Sequence, residues 1–204
     1  MKTLADFQEL VDRELVIYLQ SDIDEKLLES WHSQLKNLRS RRDQQIKDKL
    51  EPDFKPGAKL AIVIMTHGGS IDIGSTLIQE IRALFSLYDV WIVCQTLIMS
   101  MGTFLIMSVP IEKRVAFPGV DFYFHRSRIT RGSIISGHHD SHDYAAKESQ
   151  ASRSSWKRKE SNLFRFAVDN SLLSLDEIED LIEKPRHFGT TKAIKVGLVS
   201  RVLK

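Results

Sequence analysis

The sequence holds one cysteine, Cys94, which excludes an internal disulfide and fits a reducing compartment. It lies in Trp91-Ile92-Val93-Cys94, the pattern of a buried strand, where a thiol acts as a small core side chain and not as a nucleophile. Long hydrophobic runs are missing too. The longest, Ile98 to Ile111, is broken by Ser100, Gly102, Thr103, Ser108 and Pro110, and it is too short to span a bilayer. The N-terminus, Met1-Lys2-Thr3-Leu4-Ala5-Asp6, has no apolar leader and turns acidic early, so no signal peptide is expected and the cytoplasm is the default location. Charge of one sign is also scarce. Lys plus Arg total 29 against 27 acids, a formal net charge of +2, which gives no electrostatic reason to expect nucleic acid as a partner. Apolar residues at 42% and charged residues at 27% are ordinary for a globular protein, and 204 residues suit one compact domain.

Periodicity then sets the class. Leu15 to Leu19 is a short apolar run and a predicted strand. Asp22 or Asp24 can cap a helix whose buried stripe is Leu27, Trp31, Leu35 and Leu38. From Lys36 to Gly57 the chain is strongly charged and reads as a solvated helix end and a surface loop. Leu60 to Met65 is apolar on both faces, as in a covered central strand. Thr66-His67-Gly68-Gly69-Ser70 makes a sharp turn, followed by a helix with Leu77, Ile78, Ile81, Leu84 and Phe85 inward. Val90 to Cys94 is the next strand and Ser100 to Ser108 a buried helix. Two short strands follow, Arg114 to Phe117 and Asp121 to His125; in the second, Phe122 and Phe124 share one face, and Tyr123 and His125 the other. A further amphipathic helix turns Leu175, Ile178, Leu181 and Ile182 inward, and a last helix and strand reach Val202. This alternation predicts an α/β fold with a largely parallel sheet.

In such sheets, sites gather where strands end and helices begin, because backbone N–H groups point outward there. Gly68-Gly69 and Ser100 both occupy such positions. A hydroxyl attacks a carbonyl well when a base takes its proton and two donors hold the oxyanion. Ser100, in Met99-Ser100-Met101-Gly102, can be that nucleophile. The N–H of Met101 is one candidate donor, and that of Gly69, where no Cβ blocks an approaching substrate, is the other. Taken alone, a serine before a helix is usually a cap and a histidine at a strand end usually structural.

Three segments together resemble the proteolytic subunit of Clp protease, the ClpP family. Ile64-Met65-Thr66-His67-Gly68-Gly69-Ser70-Ile71 is similar to its oxyanion turn, with His67 where proline is usual. Cys94-Gln95-Thr96-Leu97-Ile98-Met99-Ser100-Met101-Gly102-Thr103-Phe104-Leu105 is similar to its nucleophile segment. Lys113-Arg114-Val115-Ala116-Phe117-Pro118 and the strand ending at His125 are similar to its base segment, at the interval that the family requires. Weaker matches at Arg13 to Leu19, Leu175 to Ile178 and Gly197 to Val199 extend the resemblance over almost the whole chain. It implies a ClpP/crotonase-like spiral of β-β-α units in one domain, residues 1–204, with 126–172 as a divergent polar handle region. It further implies a serine endopeptidase with Ser100 as nucleophile, His125 as base, and Gly69 and Met101 as the oxyanion hole. The expected setting is a homo-oligomeric ring acting on peptides or unfolded proteins, with no metal, organic cofactor, nucleic acid or membrane involved.

The chain departs from the family in three places. The position of the family's orienting aspartate falls on Pro185, in Glu183-Lys184-Pro185-Arg186-His187, leaving Asp169, Asp176 and Asp180 as candidate replacements or a Ser–His dyad. Residues between His125 and Leu175 are more polar and more numerous than in the family. Their histidine run, His138 to His142, lies near Gly137 and several serines and reads as a loop, not a metal site. Trp156 with its basic neighbours reads as a solvated helix face. Few residues precede the first strand, where relatives that dock an AAA+ unfoldase carry an axial loop, so the sequence supports a ring better than it supports that ATPase partner. The alternative reading is a catalytically weak or inactive ring subunit. A crotonase-type acyl-CoA enzyme would need no serine and histidine at this interval.

Overall fold

A computed structural model describes residues 15–48, 57–125 and 142–203. In chain order its elements are β1 (Val16–Leu19), α1 (Glu25–Lys47), β2 (Ala58–Thr66), α2 (Ile71–Ala83), β3 (Tyr88–Met99), α3 (Met101–Ile106), β4 (Arg114–Ala116), β5 (Asp121–Tyr123), α4 (His142–Asp169), α5 (Leu175–Glu183), β6 (His187–Gly189), α6 (Thr190–Lys195) and β7 (Arg201–Val202). The side chains of the His138–His142 run and of Trp156, and residues 49–56, lie outside the described residues.

The strands form one sheet along the path β1-β2-β3-β4-β7, and β5 joins it through β3 and carries β6. Every pairing is parallel except β5 with β6. β2 earns its interior place through Leu60, Ala61, Ile62, Val63 and Ile64, all buried because both faces of the sheet are covered there. On one face, Asp24 caps α1 by accepting the Leu27 N–H at 2.8 Å, and Leu27, Trp31 and Leu38 are buried along its stripe. The Trp31 indole is not left unsatisfied: it donates to Glu80 on α2 at 2.6 Å.

β3 runs beyond the Val90–Cys94 segment that its apolar pattern predicts. Opposite β2 its register advances from Cys94 to Ile98 while β2 advances only from Ile64 to Thr66, a bulge that coincides with Thr96 at φ 54°. The bulge divides the strand's partners. Ile92–Cys94 pair with β4, and Leu97–Met99 pair with β5. Extending β3 in this way delivers its last residue to the start of α3.

Two predicted core positions are corrected. Phe85 is 41% exposed and Leu175 is 46% exposed. Phe85 falls in a 3₁₀ turn, Leu84–Ser86, whose tighter winding rotates it off the 3.6-residue stripe of α2. Leu175 is the first residue of α5, ahead of the buried Ile178, Leu181 and Ile182; that helix opens on a capping box between Ser174 and Glu177. Arg114 is buried, and in place of a carboxylate it donates to the carbonyls of Val109 (2.7 Å), Gly197 (3.0 Å) and Met107 (3.3 Å), binding β4 to the loops around it. Burial lowers its pKa to about 10.

Candidate active site

Ser100 stands between β3 and α3 with φ 52° and ψ −124°. Those angles lie outside the broad regions open to L-residues, so the surroundings must hold them. Three hydrogen bonds do so. The Ser100 N–H donates to the Tyr123 carbonyl at 2.9 Å, and the Ser100 carbonyl accepts from the Thr103 N–H at 3.0 Å and the Thr103 hydroxyl at 2.6 Å. Behind the turn, all six residues of α3 are buried, and Phe104 meets Phe124 edge to face at 5.9 Å. A strained strand-to-helix turn of this kind lifts a side chain clear of the sheet.

The strand that leads to His125 arrives through the register of β5 on β3. Met99 pairs with Tyr123, so Ser100 lies beside the continuation of β5 that leads through Phe124 to His125. Phe122 and Phe124 are buried, and each ring stacks near Phe188, at 6.0 and 6.3 Å between centroids. Burying each phenyl group is worth about 1.5–3 kcal/mol, which holds this face of the strand inward and leaves Asp121, Tyr123 and His125 on the other.

The glycine turn completes the set. Gly68 has φ 101°, and a Cβ there would stand 2.4 Å from the Ser100 Cβ, so only glycine lets the turn approach so closely. The Ile23 N–H donates to the Gly68 carbonyl at 2.7 Å and the Ser70 N–H donates to the Ile23 carbonyl at 2.8 Å. By the alternation of backbone groups, the Gly69 N–H then faces away from Ile23. Met101, first in α3, has an N–H with no intrahelical acceptor. Ser100, Met101, Gly69 and His125 all line one cavity of about 920 Å³, with Leu163 of α4 also on its wall. α4 is tied to this wall by an ion pair from Lys159 to Asp72 at 2.6 Å. His67 faces Asp22 at 3.4 Å on the exposed outer edge.

The candidate acids are placed elsewhere. Asp169 lines a second cavity with Arg82, Phe85 and Arg114. Asp180 accepts from Lys184 at 2.8 Å and from Arg186 at 3.0 Å, bonds that hold its carboxyl below the usual range. Asp176 is an exposed residue in the first turn of α5, and Pro185 is exposed just before β6. The sequence reading missed β6 itself and the contact it makes, His187 Nδ1 to Asp121 Oδ2 at 2.5 Å. Among the described residues, no group of three His, Cys, Asp or Glu side chains could hold a metal ion. No helix among them is long and apolar enough to cross a membrane. Cys94 is not a rival nucleophile, since burial pushes its thiol up to about 12 despite the nearby Arg114 charge.

The parts gathered at this cavity are those that serine hydrolases use: a serine on a strained turn, a histidine from the adjoining strand and free amides nearby. The chain belongs to the Clp protease family, whose family model matches residues 2–204. The fold is that of ClpP. The structure of a ClpP1 variant from Listeria monocytogenes superposes with a TM-score of 0.70, covering 97% of this chain and 95% of that one at 18% identity.

Proposed function

We propose that the chain is a ClpP-like serine endopeptidase working inside a homo-oligomeric ring in the cytoplasm. The Ser100 hydroxyl attacks the scissile carbonyl while His125 takes its proton, forming a tetrahedral oxyanion held by the N–H groups of Gly69 and Met101. His125 then returns the proton to the leaving amine as the C–N bond breaks. Water, deprotonated by the same imidazole, releases the acyl group. Each oxyanion donor contributes about 3 kcal/mol to such a transition state, and the general base about 10²–10⁴ in rate. This chemistry needs no metal or organic cofactor. The whole of residues 1–204 forms one domain in this reading, with 126–172 as its handle region, and the substrate is a peptide or unfolded protein.

The observation that carries the proposal is the strained backbone of Ser100 on the wall of a cavity that also holds His125. A second reading, a weak or inactive ring subunit, is favoured by Pro185 where the family has its aspartate. A fluorophosphonate probe applied to the assembled protein separates the two. Labelling that disappears in Ser100→Ala supports the peptidase; an unlabelled assembly supports the inactive subunit.

A further inference from the structure

We propose that His187, fixed by Asp121, is a positioning residue for His125 and acts through the ring of Tyr123. The inference rests on the Ser100–His125 reading above and deepens it.

With Phe122 and Phe124 committed to the core, β5 presents Asp121, Tyr123 and His125 along its opposite face. The antiparallel register of β6 sets His187 directly across from Tyr123, and Gly189 across from Asp121. Because residue 189 has no side chain, nothing stands directly across from the carboxylate, which reaches along the sheet to the His187 Nδ1 at 2.5 Å. Bound there, the imidazole lies over Tyr123, with ring centroids 4.4 Å apart and planes 30° apart. Tyr123 in turn meets His125 at 5.6 Å and 38°. The three rings therefore form a chain of contacts, across from His187 on β6 to Tyr123 and then along β5 to His125, with a carboxylate anchoring the His187 end.

A general base works in one ring orientation, and an imidazole has two free torsions by which to leave it. A ring wall beside His125 removes rotamers that turn it away from Ser100, and Tyr123 can serve as that wall only while His187 backs it. The family's orienting aspartate aligns with Pro185, just before β6, and two residues later β6 supplies His187. The Phe122–Phe188 and Phe124–Phe188 stacks already bind β6 to β5, so the polar row is not needed to hold the strands together.

The test is the kinetics of fluorophosphonate labelling of Ser100 in the assembled protein, with the thermal midpoint of each variant recorded. His187 and Asp121 are 54% and 40% exposed at their side chains, so substitutions there leave the core intact. His187→Ala and Asp121→Ala should each lower the maximal labelling rate about 10- to 100-fold, the range for a catalytic group displaced by up to ~1 Å, without altering probe affinity. The double variant should be no slower than the slower single one, because the two residues act as one unit. Asp121→Asn keeps an acceptor for Nδ1 and should recover most of the rate. Losses that multiply in the double variant, a rate that follows thermal stability alone, or a wild-type rate in His187→Ala would overturn the inference while leaving the peptidase reading in place. A wild-type protein that is not labelled at Ser100 would remove both.

Discussion

Replacing Gly68 by alanine tests how the glycine turn and the serine turn depend on each other. The new Cβ would stand 2.4 Å from the Ser100 Cβ, 3.0 Å from the Ser100 Oγ and 3.0 Å from the Met99 carbonyl, at a residue with φ 101°. Two costs add. Forcing an L-residue to positive φ costs about 1–2 kcal/mol, and overpacking a close contact costs about 1–3 kcal/mol. Gly119 is the control, because it has φ 79° and a Cβ there meets nothing within 4 Å, so only the first cost applies. At about 2–4 °C per kcal/mol for a chain of this size, Gly68→Ala should melt roughly 4–20 °C below wild type, and lower than Gly119→Ala by the share due to overpacking. The sharper difference lies in chemistry. Displacing Ser100 by ~1 Å should slow its fluorophosphonate labelling about 100-fold in Gly68→Ala, while Gly119→Ala labels at the wild-type rate. Equal melting points and equal labelling rates for the two variants would refute the claim that the turn packs against Ser100.

Three further outcomes follow from the same geometry. Ser100→Gly should be more thermostable than Ser100→Ala, since glycine relieves a positive-φ strain of about 1–3 kcal/mol that alanine retains; differential scanning fluorimetry of the two reads this directly. Asp89 lies 2.6 Å from Lys113 and accepts the Trp91 indole N–H at 2.9 Å; burial pushes its carboxyl up, and these partners together outweigh that and hold it below 3.8. The stabilisation, about 0.2–1 kcal/mol, is present above the ordinary carboxylate pKa and lost as pH falls through the lowered one, so the melting-point gap between wild type and Asp89→Asn should close on acidification and not on alkalinisation. Cys94, buried with its thiol raised to about 12, should resist iodoacetamide in the native protein from pH 7 to 9 and react after unfolding; stoichiometric native alkylation by mass spectrometry would contradict its burial.

How much of this was legible depended on the range of each interaction. The both-faces-apolar run at Leu60–Ile64 and the stripe of Leu27, Trp31 and Leu38 are local signals, and the elements formed where they pointed. The four candidate positions stood in three ordered segments, because a turn needing glycine and a serine before an apolar helix leave marks in sequence. The cavity brings Ser100, Met101, Gly69 and His125 together. The bulge at Thr96 was not legible, since a polar Gln95-Thr96 pair reads as the end of a strand and only the register with β2 and β5 shows that it continues. Nor was the Asp121–His187 contact, which joins residues 66 positions apart through a three-residue strand too short for any periodicity. Phe85 and Leu175 were misjudged because a stripe predicts a face, whereas burial also needs a neighbouring element to cover it.

The central claim, a hydroxyl, an imidazole and two amides converging on one reacting carbon, is tested most directly by a crystal structure of the fluorophosphonate adduct. The account predicts phosphorus bonded to Ser100 Oγ, one phosphonyl oxygen about 2.7–3.1 Å from the nitrogens of both Gly69 and Met101, and the His125 ring within hydrogen-bond reach of Ser100 Oγ. A phosphonyl oxygen turned to solvent, or an adduct on any residue other than Ser100, would contradict it.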